Sequence, residues 1–196
     1  SHGHYDHLGG TRALVELYGA KTYLGEGDAD YADGTRDLTW AKELGYKYEE
    51  QFTPDVLVKD GDILNIGGID FYFQGCPGHT EGAMNIYFYA DGELGKKRCA
   101  MFGGAGMNSL TLDFLDSYSL PHTLRADFAK VLEIADKEHV DVHLGNHVWS
   151  SRHTEKLAKQ QAEGGNPFVD ENCWHEFIAK TKKSFESMVA KEGRLL

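Results

Sequence analysis

Four side chains that can bind a metal ion lie within the first seven residues of the chain. Residues 1–7 read SHGHYDH, which places three imidazoles and one carboxylate on a short segment that Gly3 and a following helix cap make tight. Imidazole nitrogens and carboxylate oxygens are ligands that zinc takes in proteins. The segment therefore predicts a metal site. A solvated histidine-rich loop and a tag remnant are the alternatives.

Two later histidines stand in a similar local context. His79 lies in residues 77–82, which read PGHTEG and follow a predicted strand, and His147 follows a predicted strand at 140–144. Glycines on both sides of His79 let the backbone approach closely. Because a loop after a strand can present an imidazole, both residues are candidate ligands. His143 lies inside the second strand and is expected to pack against a sheet face instead.

Hydrophobic periodicity and turn residues predict the elements that position these histidines. Leu14, Leu17 and Tyr18 predict a helix over 11–18 that ends at Gly19, and a Gly-Gly turn at 67–68 predicts a β-hairpin. Further helices are predicted around 38–44, over 123–138 and over 170–191, and further strands over 22–24, 84–89, 98–102 and 140–144. Strands mixed with outer helices indicate an α/β layered fold.

Composition excludes several classes of partner. The 196 residues carry a formal charge of −11 with 41% hydrophobic residues, and no basic run is longer than residues 96–98. Neither nucleic acid nor an anionic membrane is therefore an expected partner. No stretch has the roughly 18 apolar residues of a membrane-spanning helix. Three scattered cysteines predict neither a disulfide scaffold nor a four-thiolate zinc site, and they leave the compartment open.

The opening motif, the PGHTEG segment and a late histidine after a strand follow one another along the chain. In this order they resemble the metallo-β-lactamase superfamily over essentially the whole sequence. The resemblance implies an αββα sandwich, of which this chain holds the C-terminal portion, with two zinc ions at the strand ends. The implied ligands are His2, His4 and His79 for the first zinc, and Asp6, His7 and His147 for the second.

One departure from the superfamily pattern favours a particular branch. Gly104 stands where many members, such as glyoxalase II and the lactonases, carry an aspartate that bridges the metals. In this respect the chain resembles the dizinc β-lactamase subclass, in which an Asp-His-His set alone holds the second zinc. That subclass has serines near positions 104 and 106, where this chain has glycines. Hydrolysis of β-lactams is therefore expected to be weak, and serines at both positions are expected to raise it.

The resemblance implies a hydrolase that cleaves an amide, lactam, ester or lactone bond of a small-molecule substrate. A zinc ion lowers the pKa of a bound water to about 7, so a metal-bound hydroxide can attack at neutral pH. Asp6 is the catalytic candidate, because its carboxylate can orient that nucleophile. The candidate residues of the substrate pocket are Tyr5, Gly104, Gly106, Asn108, Trp149 and His153.

Nothing in residues 1–196 corresponds to the strands that precede the opening motif in the superfamily. We expect one metallo-β-lactamase-like domain without its N-terminal strands. An N-terminal half of the fold or a homo-oligomer is then the expected partner, because the apolar face of the sheet would otherwise be exposed. The alternative function is a non-catalytic metal-binding or assembly fragment that needs a partner half.

Overall fold

The computed structural model describes residues 1–193, which form seven strands and seven α-helices. The strands are β1 Tyr23–Gly25, β2 Val56–Val58, β3 Ile63–Ile66, β4 Ile69–Gly75, β5 Met84–Gly92, β6 Gly95–Met101 and β7 Val142–His143. The helices are α1 Tyr5–Leu8, α2 Thr11–Tyr18, α3 Ala29–Ala32, α4 Leu112–Ser117, α5 Thr123–Ala135, α6 His153–Glu163 and α7 Cys173–Glu192. No helix within residues 1–193 is long and apolar enough to cross a membrane.

The larger sheet contains five strands in the order β3-β4-β5-β6-β7, and β1 and β2 form a separate parallel pair. Gly67 and Gly68 have positive φ angles of 62° and 86°, which allow a tight turn with Ile66 opposite Ile69. Strands β4, β5 and β6 are antiparallel neighbours, whereas β7 pairs with β6 in parallel. Strands β4, β6 and β7 therefore run in one direction, and the loops after them emerge at one edge of the sheet.

The main hydrophobic core lies between this sheet and helices α5 and α7. Trp174 of α7 is fully buried beside Tyr87 and Phe102, and its indole N–H donates to the carbonyl of Ala135 at 2.8 Å. Phe128 of α5 is also fully buried. Burial of one large apolar side chain contributes about 1.5–3 kcal/mol. These contacts fix α7 against the sheet, close to the edge where the loops emerge.

Most of the predicted helices and strands are confirmed with small shifts of their ends. The structure differs from the prediction at three places. The predicted helix around 38–44 is wrong: this segment forms successive turns, since Trp40 has a φ of 64°, outside the helical region. Helix α6 escaped prediction because it is mostly polar and exposed, with Lys156 as its buried residue. The predicted strand at 140–144 is shortened to the two residues of β7.

Helix α2 lies on the surface with its apolar residues exposed. Leu14, Leu17 and Tyr18 are 53%, 73% and 77% exposed, and none of the eight helix residues is buried. The sequence pattern correctly predicts the helix and its end at Gly19, which has a φ of 61°. The apolar stripe that predicts the helix has no contact surface within residues 1–193.

The imidazole of His143 is buried against the core. His143 on β7 packs against Trp174 and Phe177 of α7 and is 4% exposed. Burial, and then the charge of Lys156, lower the pKa of His143 to about 4 from its ordinary 6.5. The unfolded chain accepts a proton near pH 6.5 that the folded protein accepts only near pH 4. Stability therefore decreases as the pH falls through this window.

We expect the variant His143→Phe to lose less stability on acidification than the unmodified protein, because phenylalanine keeps a ring in the core but takes up no proton. From pH 7.5 to pH 5 the difference in the free energy of unfolding should be about 1–2 kcal/mol, measured by urea titration at both pH values. His153→Phe, which changes an exposed histidine, is the matched control and should leave the loss unchanged. Equal losses in all three proteins would contradict the assignment.

Candidate metal centre

His2, His4 and His79 meet at the edge of the sheet where the loops emerge. The first two come from the segment before α1, and His79 comes from the loop after β4. One nitrogen from each ring lies within 4.8 Å of the others, and the three side chains are only 2%, 4% and 8% exposed. Three neutral nitrogen donors with a common focus are the ligand set of many catalytic zinc sites.

Backbone carbonyls of the loop after β6 orient two of these rings. Nδ1 of His2 donates to the carbonyl of Gly103 at 2.7 Å, and Nδ1 of His79 donates to the carbonyl of Gly106 at 2.8 Å. With the proton on Nδ1, the lone pair of each ring is on Nε2. Nε2 of His2 is buried and has no hydrogen-bond partner. This orphaned acceptor at the common focus is what a metal ligand requires.

Burial keeps the imidazoles of this group neutral. Desolvation is the largest cause of every shift, and for His2 and His4 the neighbouring imidazoles lower the pKa further. The pKa of His2 is lowered well below 6.5, that of His4 to about 2 and that of His79 to about 4. All three rings are therefore unprotonated at neutral pH, which is the form that binds metal.

A second group of donors lies beside the first and is more open. Asp6 and His7 belong to α1, and His147 belongs to the loop after β7. Nε2 of His7 lies 3.2 Å from Nε2 of His147, and Oδ2 of Asp6 lies 3.4 Å and 3.6 Å from these two nitrogens. The Asp6 side chain is 43% exposed. Two nitrogens and one carboxylate oxygen are donors that zinc accepts, so both groups fit the ion that the sequence implies.

Both groups open into one cavity of about 520 Å³. Of the predicted pocket residues, Gly106, Asn108 and Trp149 line this cavity. The Trp149 ring is 70% exposed and stacks on His147 with ring centres 4.2 Å apart. The cavity thus has an aromatic wall next to the second group.

Three predicted pocket residues lie elsewhere. Tyr5 stacks on Tyr46 with ring centres 5.4 Å apart and points away from the cavity lining. His153 is exposed at the start of α6 and contacts Phe168. Gly104 lies behind the ring of His79 rather than on the cavity wall. Helix α6 directs His153 outward, and because α6 was not predicted, the sequence alone could not show this.

The glycines at 104 and 106 have a steric function. A Cβ on Gly104 would lie 2.6 Å from Cδ2 of His79, and a Cβ on Gly106 would collide with Cε1 of the same ring. Side chains at these positions would therefore displace His79 from the common focus. The expectation that serines here raise β-lactam hydrolysis stays a prediction, and this close packing weighs against it, because a side chain at either position would disturb a candidate ligand.

Sequence reasoning missed several residues of the site. The missed cavity residues include Trp40, Leu44, Arg152, Phe177 and Lys180. Trp40 is half-buried and contacts His4, with ring centres 5.9 Å apart. Leu44 and Arg152 come from turns, Lys180 is an exposed residue of α7, and Phe177 of α7 is half-buried against the core. The irregular conformation of residues 38–45 is the only signal, since such turns often carry functional side chains.

Comparison with known proteins finds similarity to one family over part of the chain. Residues 1–94 match the family model of the metallo-beta-lactamase superfamily. A hydroxyacylglutathione hydrolase of Pelagibacter ubique is 33% identical over 91 residues, which is 45% of this chain and 29% of that protein. An uncharacterised protein of Aquifex aeolicus is 31% identical over 88 residues, 44% of this chain and 40% of that protein. The matched part is less than half the length of either relative.

Solved structures match over almost the entire chain. The native FEZ-1 metallo-beta-lactamase of Legionella gormanii superimposes with a TM-score of 0.85 at 21% identity, covering 100% of this chain and 74% of that one. The subclass B3 metallo-beta-lactamase BJP-1 of Bradyrhizobium japonicum gives a TM-score of 0.83 at 21% identity, covering 98% and 71%. These matches confirm the expected fold.

We expect Gly106→Ala to weaken zinc binding about tenfold or more, because the new methyl group displaces His79 from its carbonyl partner. Competition with a chromophoric chelator measures the dissociation constant. Gly92→Ala is the matched control, since a Cβ at that turn has no atom within 4 Å. Unchanged zinc affinity in Gly106→Ala would show that the close packing around His79 is unimportant for binding.

Proposed function

We propose that this chain is a zinc-dependent hydrolase of the metallo-β-lactamase superfamily that cleaves an amide, lactam, ester or lactone bond of a small molecule. The match of residues 1–94 to that family model and the shared fold of solved metallo-beta-lactamases support the proposal. One observation carries the proposal: two groups of three donors open together into a single cavity. Each group supplies three protein ligands, which leaves positions on four-coordinate zinc for water or substrate.

The candidate metal ligands have different roles in the proposed reaction. When bound, a pair of zinc ions supplies an acidified water and polarises the scissile carbonyl. His2, His4 and His79 would hold one ion in a dry, preorganised setting, with two of their rings fixed by backbone carbonyls. Asp6 would act as ligand and would also accept a hydrogen bond from the attacking water, because its carboxylate reaches both the second group and the cavity.

The cavity walls favour a substrate with a flat or apolar group and an acidic group. Trp40 lies beside the first donor group and Trp149 beside the second, so flat groups on either side of the scissile bond can stack. Arg152 is paired with Glu155 and Glu176. Lys180 lines the cavity and has no ion-pair partner among residues 1–193, so it can bind a substrate carboxylate.

We expect the purified, zinc-loaded protein to hydrolyse at least one of four chromogenic substrates: a cephalosporin, an aryl ester, a thioester and a lactone. A chelator should abolish the activity and added zinc should restore it. His147→Asn should lower kcat/KM by a factor of about 100 or more and reduce the bound zinc from two ions to one. His153→Asn is the matched control and should retain full activity, because His153 lies outside the cavity.

Two results would contradict the proposal. If no substrate is hydrolysed while two zinc ions bind, the alternative of a non-catalytic metal-binding or assembly fragment is favoured. If no more than trace zinc binds after loading, the metal site itself is wrong. Should His153→Asn lose activity and His147→Asn keep it, the two histidines have exchanged roles.

We also propose that the exposed stripe of α2 contacts a further polypeptide, either the remaining strands of the fold or a second copy of this chain. The support is the exposure of Leu14, Leu17 and Tyr18, together with solved structures that extend beyond the matched region. Light scattering of residues 1–196 should show dimers or larger species, and Leu17→Glu should shift them towards monomers. A stable monomer before the substitution would refute the contact between two copies, and a longer chain that carries the remaining strands but leaves these three side chains exposed would refute the other alternative.

A further inference from the structure

Asp28 is a fully buried carboxylate that touches neither the cavity nor any proposed ligand side chain. It is the last residue of a short 3-10 helix after β1 and is 0% exposed. No lysine or arginine among residues 1–193 pairs with it, because nearby Arg36 binds Asp30 and Glu81 instead. A buried charge of this kind is costly unless hydrogen bonds compensate it, so its presence calls for an explanation.

Three hydrogen bonds connect this carboxylate to the two segments that carry the first donor group. Oδ2 of Asp28 accepts from the backbone N–H of Gly3 at 2.6 Å and from the hydroxyl of Thr80 at 2.6 Å. Oδ1 accepts from the backbone N–H of Gly82 at 2.7 Å. Gly3 stands between His2 and His4, and Thr80 directly follows His79. One side chain thus ties together the segments of all three candidate ligands.

Glycines allow the segments to approach Asp28 this closely. A Cβ on Gly82 would collide with the backbone N–H of Asp28, and a Cβ on Gly25 would collide with the carbonyl of Gly82. A Cβ on Gly3 would lie 3.0 Å from Cβ of Asp28. The backbone of residues 25–28 therefore meets that of Gly82 directly, and Gly3 packs closely against the side chains of Asp28 and Tyr31. Any change in Asp28 must be transmitted to the ligand segments.

We propose that Asp28 is a positioning residue that holds the segments of His2, His4 and His79 in register and supplies a negative charge that would partly compensate a cation bound by these three ligands. The inference rests on the metal site of the proposed function but not on the hydrolysis. Three neutral imidazoles leave the charge of a divalent cation uncompensated, and Asp28 supplies a fixed negative charge one residue away from the ligands. Burial raises the pKa of Asp28 to about 6, against the pull of its hydrogen bonds, so it is ionised at neutral pH.

The variant Asp28→Asn tests this role with almost no change in volume. An amide has a single acceptor oxygen, so its NH₂ group must face either Gly82 N–H or the two donors on the other side. The charge is lost as well. We expect zinc affinity of the first donor group to fall about 10- to 100-fold, the range typical for residues that orient metal ligands.

Two measurements on the full chain separate positioning from general stability. Chelator competition gives the zinc dissociation constant, and it is repeated in the His147→Asn background, which retains only the first group. Cobalt substitution gives a visible absorption spectrum whose band positions report ligand geometry at that group. Asp33→Asn is the matched control, because its exposed carboxylate contacts only Thr35. This control should match the unmodified protein in both measurements.

The outcomes decide the proposal. Weaker zinc binding with a changed cobalt spectrum in Asp28→Asn supports it. Unmodified affinity and spectrum, together with a lower melting temperature of the metal-free protein, would show that Asp28 is only structural and would overturn the proposal. If Asp28→Asn does not fold, Thr80→Val removes one bond and keeps the charge, and it should weaken zinc binding in the same direction. Zinc binding without hydrolysis in the unmodified protein would refute the proposed function and leave the role of Asp28 intact.

Discussion

Imidazole rings can be buried side by side only if they are uncharged, and this constraint organises the edge of the sheet where the loops emerge. Each ring must give its N–H to an acceptor and keep its other nitrogen available. The carbonyls of Gly103 and Gly106 accept the ring N–H groups of His2 and His79. Since carbonyls cannot reach a ring across a bulky side chain, the loop after β6 contains glycine where the rings lie against it.

The two donor groups differ in how deeply their side chains are buried. The rings of the first group are almost completely buried, and their pKa values are lowered chiefly by desolvation. In the second group the Asp6 and His147 side chains are 43% and 31% exposed. One group is therefore preformed and dry, whereas the other is accessible to solvent and to incoming molecules. This difference suits an arrangement in which the first group would hold an ion in a fixed position. An ion held by the second group could then exchange its ligands with solvent or substrate.

The sequence predicts what depends on local patterns and misses what depends on distant contacts. Histidines spaced as in residues 2–7, followed by histidines after two strands, predict two donor groups that the structure brings together. Gly67 and Gly68 predict a hairpin from two adjacent residues. Asp28 carries no comparable signal, because it is one of 31 acidic residues and its partners are 25 and 52 or more positions away. The helix predicted around 38–44 is wrong because the positive φ of Trp40 cannot be read from its residue type.

The short strand β7 gives the loop that follows it few backbone contacts with the sheet, and the side chain of Asn146 anchors the start of that loop by donating to the carbonyls of Phe102 and Gly103. Only two residue pairs, Cys99 with Val142 and Ala100 with His143, join this strand to β6. The loop carries His147 and Trp149, so it contributes both a donor and an aromatic wall. Insertions or deletions in such a loop cost little conformational free energy, because closure entropy grows slowly with length. A change of loop length beyond Asn146 would therefore alter the cavity wall beside the second donor group and leave the buried histidines in place.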